Sequence, residues 1–289
     1  MSRPLPPVIE QLPDALTSRG GDPDLLKAEL VDVITTAIAA NPRSLQRRIG
    51  PSEIGSPCQR RIGYILAGTE KVTADGDAWR PTVGTAVHTW LEHVFVQANR
   101  AWRAQAGHDV TRWLVEHKVS IGEVPGLAAL VADDHDDDEI RGRCDLYDRV
   151  TATSIDWKVV GPATLKRVKT GHLDEKYRVQ GHAYGYGWTR RGQPVDTVAV
   201  MFLPSNGELS QAHMWHQPYD EQVVRDALAN VATVTAALST FGPERALPVL
   251  ATADDHCDFC PYRLAASTDV AQACPGHPVQ EQHNPTAAA

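Results

Sequence analysis

The stretch RGRCDLYDRVTATSIDWKVVG, residues 141–161, places charged side chains inside two apolar runs, which we expect to be the strands of a hairpin. In the second run Ile155 and Trp157 alternate with Asp156 and Lys158, so a period of two puts both charged groups on one face of the strand. Charge on an otherwise buried strand is costly unless it is paired or binds a metal. The pattern therefore predicts either an edge strand with a surface salt pair or a metal site.

The composition limits how the protein can bind nucleic acid. The chain has 289 residues, 42% of them hydrophobic, and a formal net charge of −8. This length predicts one sizeable core in one or two domains. The negative charge excludes non-specific coating of nucleic acid, so any contact with DNA must be local.

One stretch, residues 158–191, is basic inside this acidic chain, and its only acids are Asp174 and Glu175. The pattern favours a DNA contact, although a solvated helix and loop would have the same composition. Its cations are Lys158, Lys166, Arg167, Lys169, Lys176, Arg178, Arg190 and Arg191.

The N-terminal segment and the cysteines indicate the compartment. Prolines interrupt residues 1–16 where a signal peptide would be continuously apolar, and no segment reaches the roughly 18 apolar residues of a membrane span. We expect a soluble, cytoplasmic protein with no membrane contact. In such a chain, five cysteines favour metal ligation or free thiols over disulfides.

The predicted elements run in the order helix, three strands, helix, two strands, helix. This order indicates an α/β fold with helices around a mixed central sheet. The helix predicted from about Val83 carries His88. An earlier helix opens at Asp22 and Pro23, as cap and first-turn proline. Its apolar stripe is Leu25, Leu26, Leu30, Val33, Ile34 and Ile38.

The sequence predicts a magnesium site. One strand carries Asp145, the next carries Asp156-x-Lys158, and the helix before them carries His88. Hard cations take oxygen ligands, here the two carboxylates and the Trp157 carbonyl, while His88 fills another position. Lys158 would hold or polarise the attacking water. Such a site lowers the pKa of bound water and stabilises charge on a scissile phosphate.

Four motifs in this order resemble the PD-(D/E)xK nucleases, and within them the RecB-like branch: GTAVH (84–88), GRCDLYD (142–148), IDWK (155–158) and QGHAY (180–184). The resemblance implies a restriction-endonuclease-like fold and hydrolysis of DNA with Mg²⁺ or Mn²⁺. It implies an exonuclease that acts on DNA ends or single strands in recombination, repair or phage DNA processing. The implied protein partners are recombination, CRISPR or phage replication proteins. The implied roles are metal ligation by His88, Asp145 and Asp156, catalytic base or water positioning by Lys158, and support of the site and nearby DNA by Gln180 and Tyr184.

The cysteines extend the resemblance. Cys58 stands alone, whereas Cys257, Cys260 and Cys274 lie near the C-terminus. CRISPR-associated exonucleases and AddB-type nucleases are similar, and their pattern implies a [4Fe–4S] cluster that joins the two ends of the chain. Cys260 and Cys274 are separated by 13 residues, which is more than the resemblance to those nucleases implies. The spacing alone, Cys257-x2-Cys260-x13-Cys274-x2-His277, fits a tetrahedral zinc site without Cys58.

The expected organisation is an N-terminal mobile segment and helix (1–48), a nuclease domain (49–279) with its cysteine region from about 250 to 279, and a disordered tail (280–289). Cys144 is expected in the core, because it points away from its neighbour Asp145. Two other functions stay open, a non-catalytic DNA-binding module on the same fold and a zinc-ribbon nucleic-acid-binding protein. The complete set of acids and lysine favours the enzyme.

Overall fold

The structure is a computed structural model that describes residues 23–39, 49–72, 79–107, 109–130, 137–254 and 257–277. The chain divides into two units, residues 1–45 and 46–289. The predicted cap Asp22 and the predicted C-terminal tail lie outside the described residues.

The first unit contains helix α1, Pro23–Ala39, which begins at the predicted proline. Its predicted stripe faces solvent rather than a core in this structure. The five exposed members of the stripe are Leu25, Leu26, Leu30, Val33 and Ile34.

The second unit contains the sheet and the remaining described helices. The strands are β1 Trp113–Glu123, β2 Glu139–Asp148, β3 Thr153–Val160, β4 Thr197–Pro204 and β5 His213–Pro218. The helices are α2 Pro51–Ile54, α3 Gln59–Leu66, α4 Trp79–Ala106, α5 Pro162–Lys169, α6 Glu175–Arg190, α7 Glu221–Phe241 and α8 Pro243–Ala246. None of the helices in the described parts of the chain is both long and apolar enough to cross a membrane.

The sheet has the strand order β1-β2-β3-β4-β5. The first three strands form an antiparallel meander, β4 is parallel to β3, and β5 is antiparallel to β4. Parallel neighbours need a crossover connection, which α5 and α6 supply. The predicted mixed α/β fold with flanking helices is therefore confirmed. Helix α4 begins at Trp79 rather than near Val83, because Pro81 fits the first turn of a helix.

Helices cover both faces of the sheet. On one face, α6 and α7 pack over the main core, and the buried Trp188 of α6 stacks near Tyr147 of β2. Cys144 lies in this core, as expected, and its sulfur accepts a hydrogen bond from the Trp188 indole at 3.2 Å. On the other face, Leu91 of α4 packs with Trp157 of β3.

Helix α6 forms in spite of its glycines because they let it lie close to the sheet. A Cβ at Gly185 would stand 2.9 Å from the side chain of Val198, and one at Gly187 would stand 2.6 Å from that of Val119. Both distances are too short for a real side chain. The glycines that weaken the isolated helix therefore permit its tertiary packing.

A buried histidine links α6 to the end of the sheet. His182 is 0% exposed, and its Nδ1 accepts a hydrogen bond from the backbone N–H of Asp220 at 3.1 Å. In a neutral ring Nε2 then carries the proton, and the side chain of Gln217 lies against it. Burial, together with the nearby Arg178, lowers the pKa of His182 to about 4.

We predict that His182 makes the folded protein sensitive to mild acid. Its contribution to stability is complete above the unfolded pKa of 6.5 and falls as the pH approaches 4, because only the unfolded chain takes up the proton in that window. The loss in unfolding free energy between pH 7 and pH 5 is on the order of 2 kcal/mol. Urea denaturation of wild type and His182→Gln across this range should show a flatter profile for the variant.

The matched control is His216→Gln, which changes an exposed histidine on β5. It should keep the wild-type pH profile. A His182→Gln profile as steep as that of wild type would refute the assignment.

Candidate active site

The site begins where β2 and β3 separate. Their ladder ends at the pair Leu146 and Ile155, and the next residue on each strand is an aspartate. Asp145 Oδ2 accepts a hydrogen bond from the backbone N–H of Trp157 at 2.7 Å. The carboxylate thus takes the place of a ladder acceptor, and both Asp145 and Asp156 are held buried in the gap.

Helix α6 supplies the partners of Asp156. The Gln180 amide donates to Asp156 Oδ1 at 3.2 Å and lies 3.4 Å from the Tyr184 hydroxyl. Lys158 Nζ lies 2.6 Å from Asp156 Oδ2, as the strand period predicted. Apart from this ion pair, the buried Oδ2 has no hydrogen-bond partner within the described structure. An oxygen of this kind is suited to a cation.

Helix α4 and strand β1 complete an acidic cluster around Asp145. His88 Nδ1 lies 3.3 Å from Asp145 Oδ1. Glu116 joins them from β1, and one ligand atom each from His88, Glu116 and Asp145 lie within 4.8 Å of one another. In the described parts of the chain this is the one such group of three.

Glu116 was not among the site residues predicted from the sequence. Its backbone has φ of 53°, so β1 kinks at this residue, and the side chain reaches the cluster from the kink. The signal in the sequence was an acid enclosed by Val115 and His117 in a predicted strand, the same signal that singled out Asp145.

In the metal-free protein, the ionised form of the carboxylates in this cluster is unfavourable. Burial raises the pKa of Glu116 to about 7 and that of Asp156 to about 6, and the neighbouring Asp145 adds to both shifts. A hydrogen bond to Asp145 raises the pKa of His88. Burial opposes the charge of Lys158, but Asp156 and Asp145 outweigh it and raise the pKa of this amine.

The predicted basic stretch is partly neutralised within itself. Arg167 lies 2.7 Å from Asp174, and Arg178 donates to Glu175 at 2.8 Å. Both acids of the stretch are therefore engaged by its own arginines. Lys166 and Lys169 lie on α5, directly after the strand that carries Lys158.

The four predicted cysteine ligands meet in one cavity. Cys58 precedes α3, whereas Cys257, Cys260 and Cys274 come from the C-terminal segment, and all four line the cavity together with His277. Backbone contacts hold the two parts together, among them the N–H of Arg60 donating to the carbonyl of Ala251 at 3.1 Å. The hydroxyl of Tyr64 also donates to the carbonyl of Val270.

The sulfurs receive several donors. The backbone N–H groups of His277 and Gly276 point at Cys257 Sγ (3.2 Å) and Cys274 Sγ (3.4 Å), and the Arg60 guanidinium lies 3.8 Å from Cys274 Sγ. Such donors stabilise thiolates. The His277 ring lies 2.9 Å from the Thr252 hydroxyl through its Nδ1.

The model of the PD-(D/E)XK nuclease superfamily matches residues 57–265, which is most of the chain. The protein therefore belongs to the PD-(D/E)XK nuclease superfamily. Nucleases of this superfamily use divalent metals, and the acidic cluster provides a candidate site for one.

Three solved structures show weak similarity in shape. The alkaline exonuclease LHK-Exo of Laribacter hongkongensis is 13% identical, with 67% of this chain and 88% of that chain covered and a TM-score of 0.38; its complex with dAMP gives the same values. A phage-related exonuclease from Haemophilus somnus 129PT is 12% identical, with coverage of 63% and 80% and a TM-score of 0.36. Likenesses this weak carry no conclusion about activity. None of the curated protein sequences compared with the chain matches it.

We predict that Glu116→Gln stabilises the metal-free protein. As the pH rises from 4.5 to about 7, the unfolded chain ionises Glu116 before the folded protein does, so folding loses stability across that window. In the presence of a chelator above pH 7, the variant should gain on the order of 2 kcal/mol in unfolding free energy. Denaturant titration at pH 5 and pH 8 measures the difference.

Glu123→Gln provides the comparison, because Glu123 is an exposed glutamate on the same strand. It should behave like wild type at both pH values. A Glu116→Gln variant no more stable than wild type at pH 8 would contradict the proposed cost of the buried carboxylate.

Proposed function

We propose that the protein is a metal-dependent deoxyribonuclease that hydrolyses phosphodiester bonds. The observation that carries the proposal is the convergence of His88, Glu116 and Asp145 next to the buried carboxylate of Asp156. Two carboxylates and one imidazole lie within 4.8 Å of one another, with the buried Asp156 nearby. Ionised carboxylates at this separation repel each other unless a cation binds between them. Mg²⁺ or Mn²⁺ matches this donor set.

The proposed ligands are His88, Glu116, Asp145 and Asp156, with the Trp157 carbonyl as a further oxygen. A bound divalent ion would supply a water of lowered pKa and stabilise negative charge on the scissile phosphate. Around it, Gln180 fixes the orientation of Asp156 through its amide. Tyr184 stays protonated, because burial raises its pKa well above the usual range, and it supports Gln180.

Lys158 acts as a positively charged group in this proposal. In the metal-free protein Asp156 and Asp145 raise the pKa of this amine against the effect of burial, and its nitrogen lies 2.6 Å from Asp156 Oδ2. We therefore assign to Lys158 the positioning of the attacking water and the stabilisation of charge on the phosphate. Of the two roles that the sequence left open, this one agrees with the surroundings of the amine.

The finer assignment is an exonuclease that acts on DNA ends or single strands, in recombination, repair or phage DNA processing. The resemblance of the four motifs to the RecB-like branch supports it. A non-catalytic DNA-binding module is the second candidate. The buried acids argue against that module, because they cost stability without a metal and DNA binding alone does not need them.

We predict that Asp145→Asn and Asp156→Asn each lower DNA hydrolysis in Mg²⁺ or Mn²⁺ by roughly 10²-fold or more, because each removes a charged metal ligand. Labelled linear single-stranded, linear double-stranded and circular DNA are the substrates. An exonuclease should release mononucleotides or short products from linear DNA and leave circles intact. Asp226→Asn, an exposed change on α7, serves as the control.

Normal digestion by Asp156→Asn would refute the assignment of the site. Digestion of circles at the same rate as linear DNA would refute the exonuclease and leave the nuclease. A folded wild type without hydrolysis in either metal would favour the binding module.

We further propose that Cys58, Cys257, Cys260 and Cys274 hold a [4Fe–4S] cluster. The presence of Cys58 in the cavity supports four thiolates over the three cysteines and His277 of the zinc alternative. Spacing supports it too. Tetrahedral zinc brings its sulfurs to about 3.8 Å from one another, whereas no three of these described ligand atoms lie within 4.8 Å of one another. A cluster holds its sulfurs further apart, since each binds a different iron.

The two metals predict opposite results for two variants. With the cluster, Cys58→Ser should lose the brown colour, most of the iron and sulfide, and thermal stability, while His277→Ala keeps them. With zinc, His277→Ala should lose the metal and Cys58→Ser should keep it. Anaerobic purification followed by iron, sulfide and zinc analysis decides, and a colourless wild type with one zinc and no sulfide would overturn the cluster.

A further inference from the structure

Two cations face each other across the strands that carry the acidic cluster. Lys118 of β1 and Arg143 of β2 are direct partners in the ladder. Each lies two residues from a cluster acid, Lys118 from Glu116 and Arg143 from Asp145. Because Lys118 and Arg143 are opposite partners in the ladder, their side chains lie on one face of the sheet, and Arg143 contacts Glu116 on that face. Cys144, which lies between Arg143 and Asp145 on β2, points into the main core on the other face of the sheet.

The contact of Arg143 confirms this placement. Its Nε lies 3.8 Å from Glu116 Oε2, while 55% of its side chain remains exposed. At this distance the two groups attract each other without a hydrogen bond between them. Lys118 is exposed, and none of the described residues forms an ion pair with it. Like charges directly opposite each other on an antiparallel pair are destabilising, so the pair suits a bound anion.

Arg141, the next residue along this face, shows the contrast. It lies 2.5 Å from Asp137 and also contacts Glu139, so its charge is compensated within the protein. Lys118 and Arg143 therefore differ from a general basic surface. They are the two poorly compensated cations beside the acids on this face of β1 and β2.

We propose that Lys118 and Arg143 form a binding site for the phosphodiester backbone of the substrate strand, next to the phosphate being cut. This inference rests on the proposed nuclease function and deepens it. The guanidinium can donate two N–H groups to the two non-bridging oxygens of one phosphate, and the ammonium adds a point charge. A metal ion bound to Glu116 would weaken the ion pair between Glu116 and Arg143, so the guanidinium could bind the DNA phosphate instead.

Contacts of this kind position a strand without reading its sequence. The site therefore acts on every DNA sequence alike and complements the cations of α5, which follow Lys158 on the other side of the acids. Its loss should weaken binding and leave the chemistry of the bound strand intact.

Binding tests the proposal directly. An Asp156→Asn background keeps the DNA uncut, and the affinity for a labelled oligonucleotide is measured with Mn²⁺ at several salt concentrations. The double variant Lys118→Gln/Arg143→Gln should bind about 10-fold more weakly at low salt, and the slope of log K against log salt should decrease in magnitude by roughly one to two. Arg141→Gln, the matched control, should keep the slope of its background.

Turnover provides the second measurement, in the otherwise wild-type enzyme. The double variant should raise KM about 10-fold with kcat within about twofold. An unchanged salt slope together with an unchanged KM would overturn the proposal. A fall in kcat at constant KM would also overturn it, since the pair would then act on the acids and not on the strand.

The outcomes separate this inference from the proposed function. If wild type digests DNA and the double variant matches it, only the phosphate site fails. If wild type binds DNA through the pair but digests none in either metal, the phosphate site stands and the nuclease fails. If wild type neither binds nor digests DNA, both fail.

Discussion

The separation of β2 from β3 is the constraint on which the site depends. Paired strands would satisfy the Trp157 N–H with a backbone carbonyl, but here the side chain of Asp145 accepts it. This bond fixes one carboxylate where the ladder ends and leaves room for the second, Asp156, on the facing strand. Two acids in a buried gap are unfavourable unless cations compensate them, and Lys158 supplies one positive charge beside Asp156. The same feature that shapes the backbone therefore makes the gap suited to a further cation.

Core packing and the site are connected through α6. Gly185 and Gly187 let this helix approach β4 and β1 closely. The approach brings Gln180 within hydrogen-bonding distance of Asp156. A residue with a side chain at either glycine would push the helix outward and move the amide from the carboxylate. The cost of two glycines in a helix is thus linked to the position of a polar group in the site.

The C-terminal segment depends on contacts distant in sequence. It has little regular structure of its own, and the cavity of four cysteines lies between it and the start of α3. Arg60 alone donates to the carbonyls of Leu247 and Pro248 at 2.9 Å each. A group bound by all four thiolates would close a loop of about two hundred residues, which restricts the unfolded chain strongly.

Much of the architecture was determined by the sequence by itself. Alternation predicted β3 and placed Asp156 and Lys158 on one face, and helical periodicity predicted α4 with His88, whereas the resemblance of its motif singled out Gln180. These features are local, because they depend on the period of a strand or a helix. Only the tertiary structure decided the role of Glu116, whose reach depends on a kink in β1, and the pairing of Lys118 with Arg143, which depends on the register between two strands. Such register and kinks arise from contacts between segments far apart in the chain, and no local pattern encodes them.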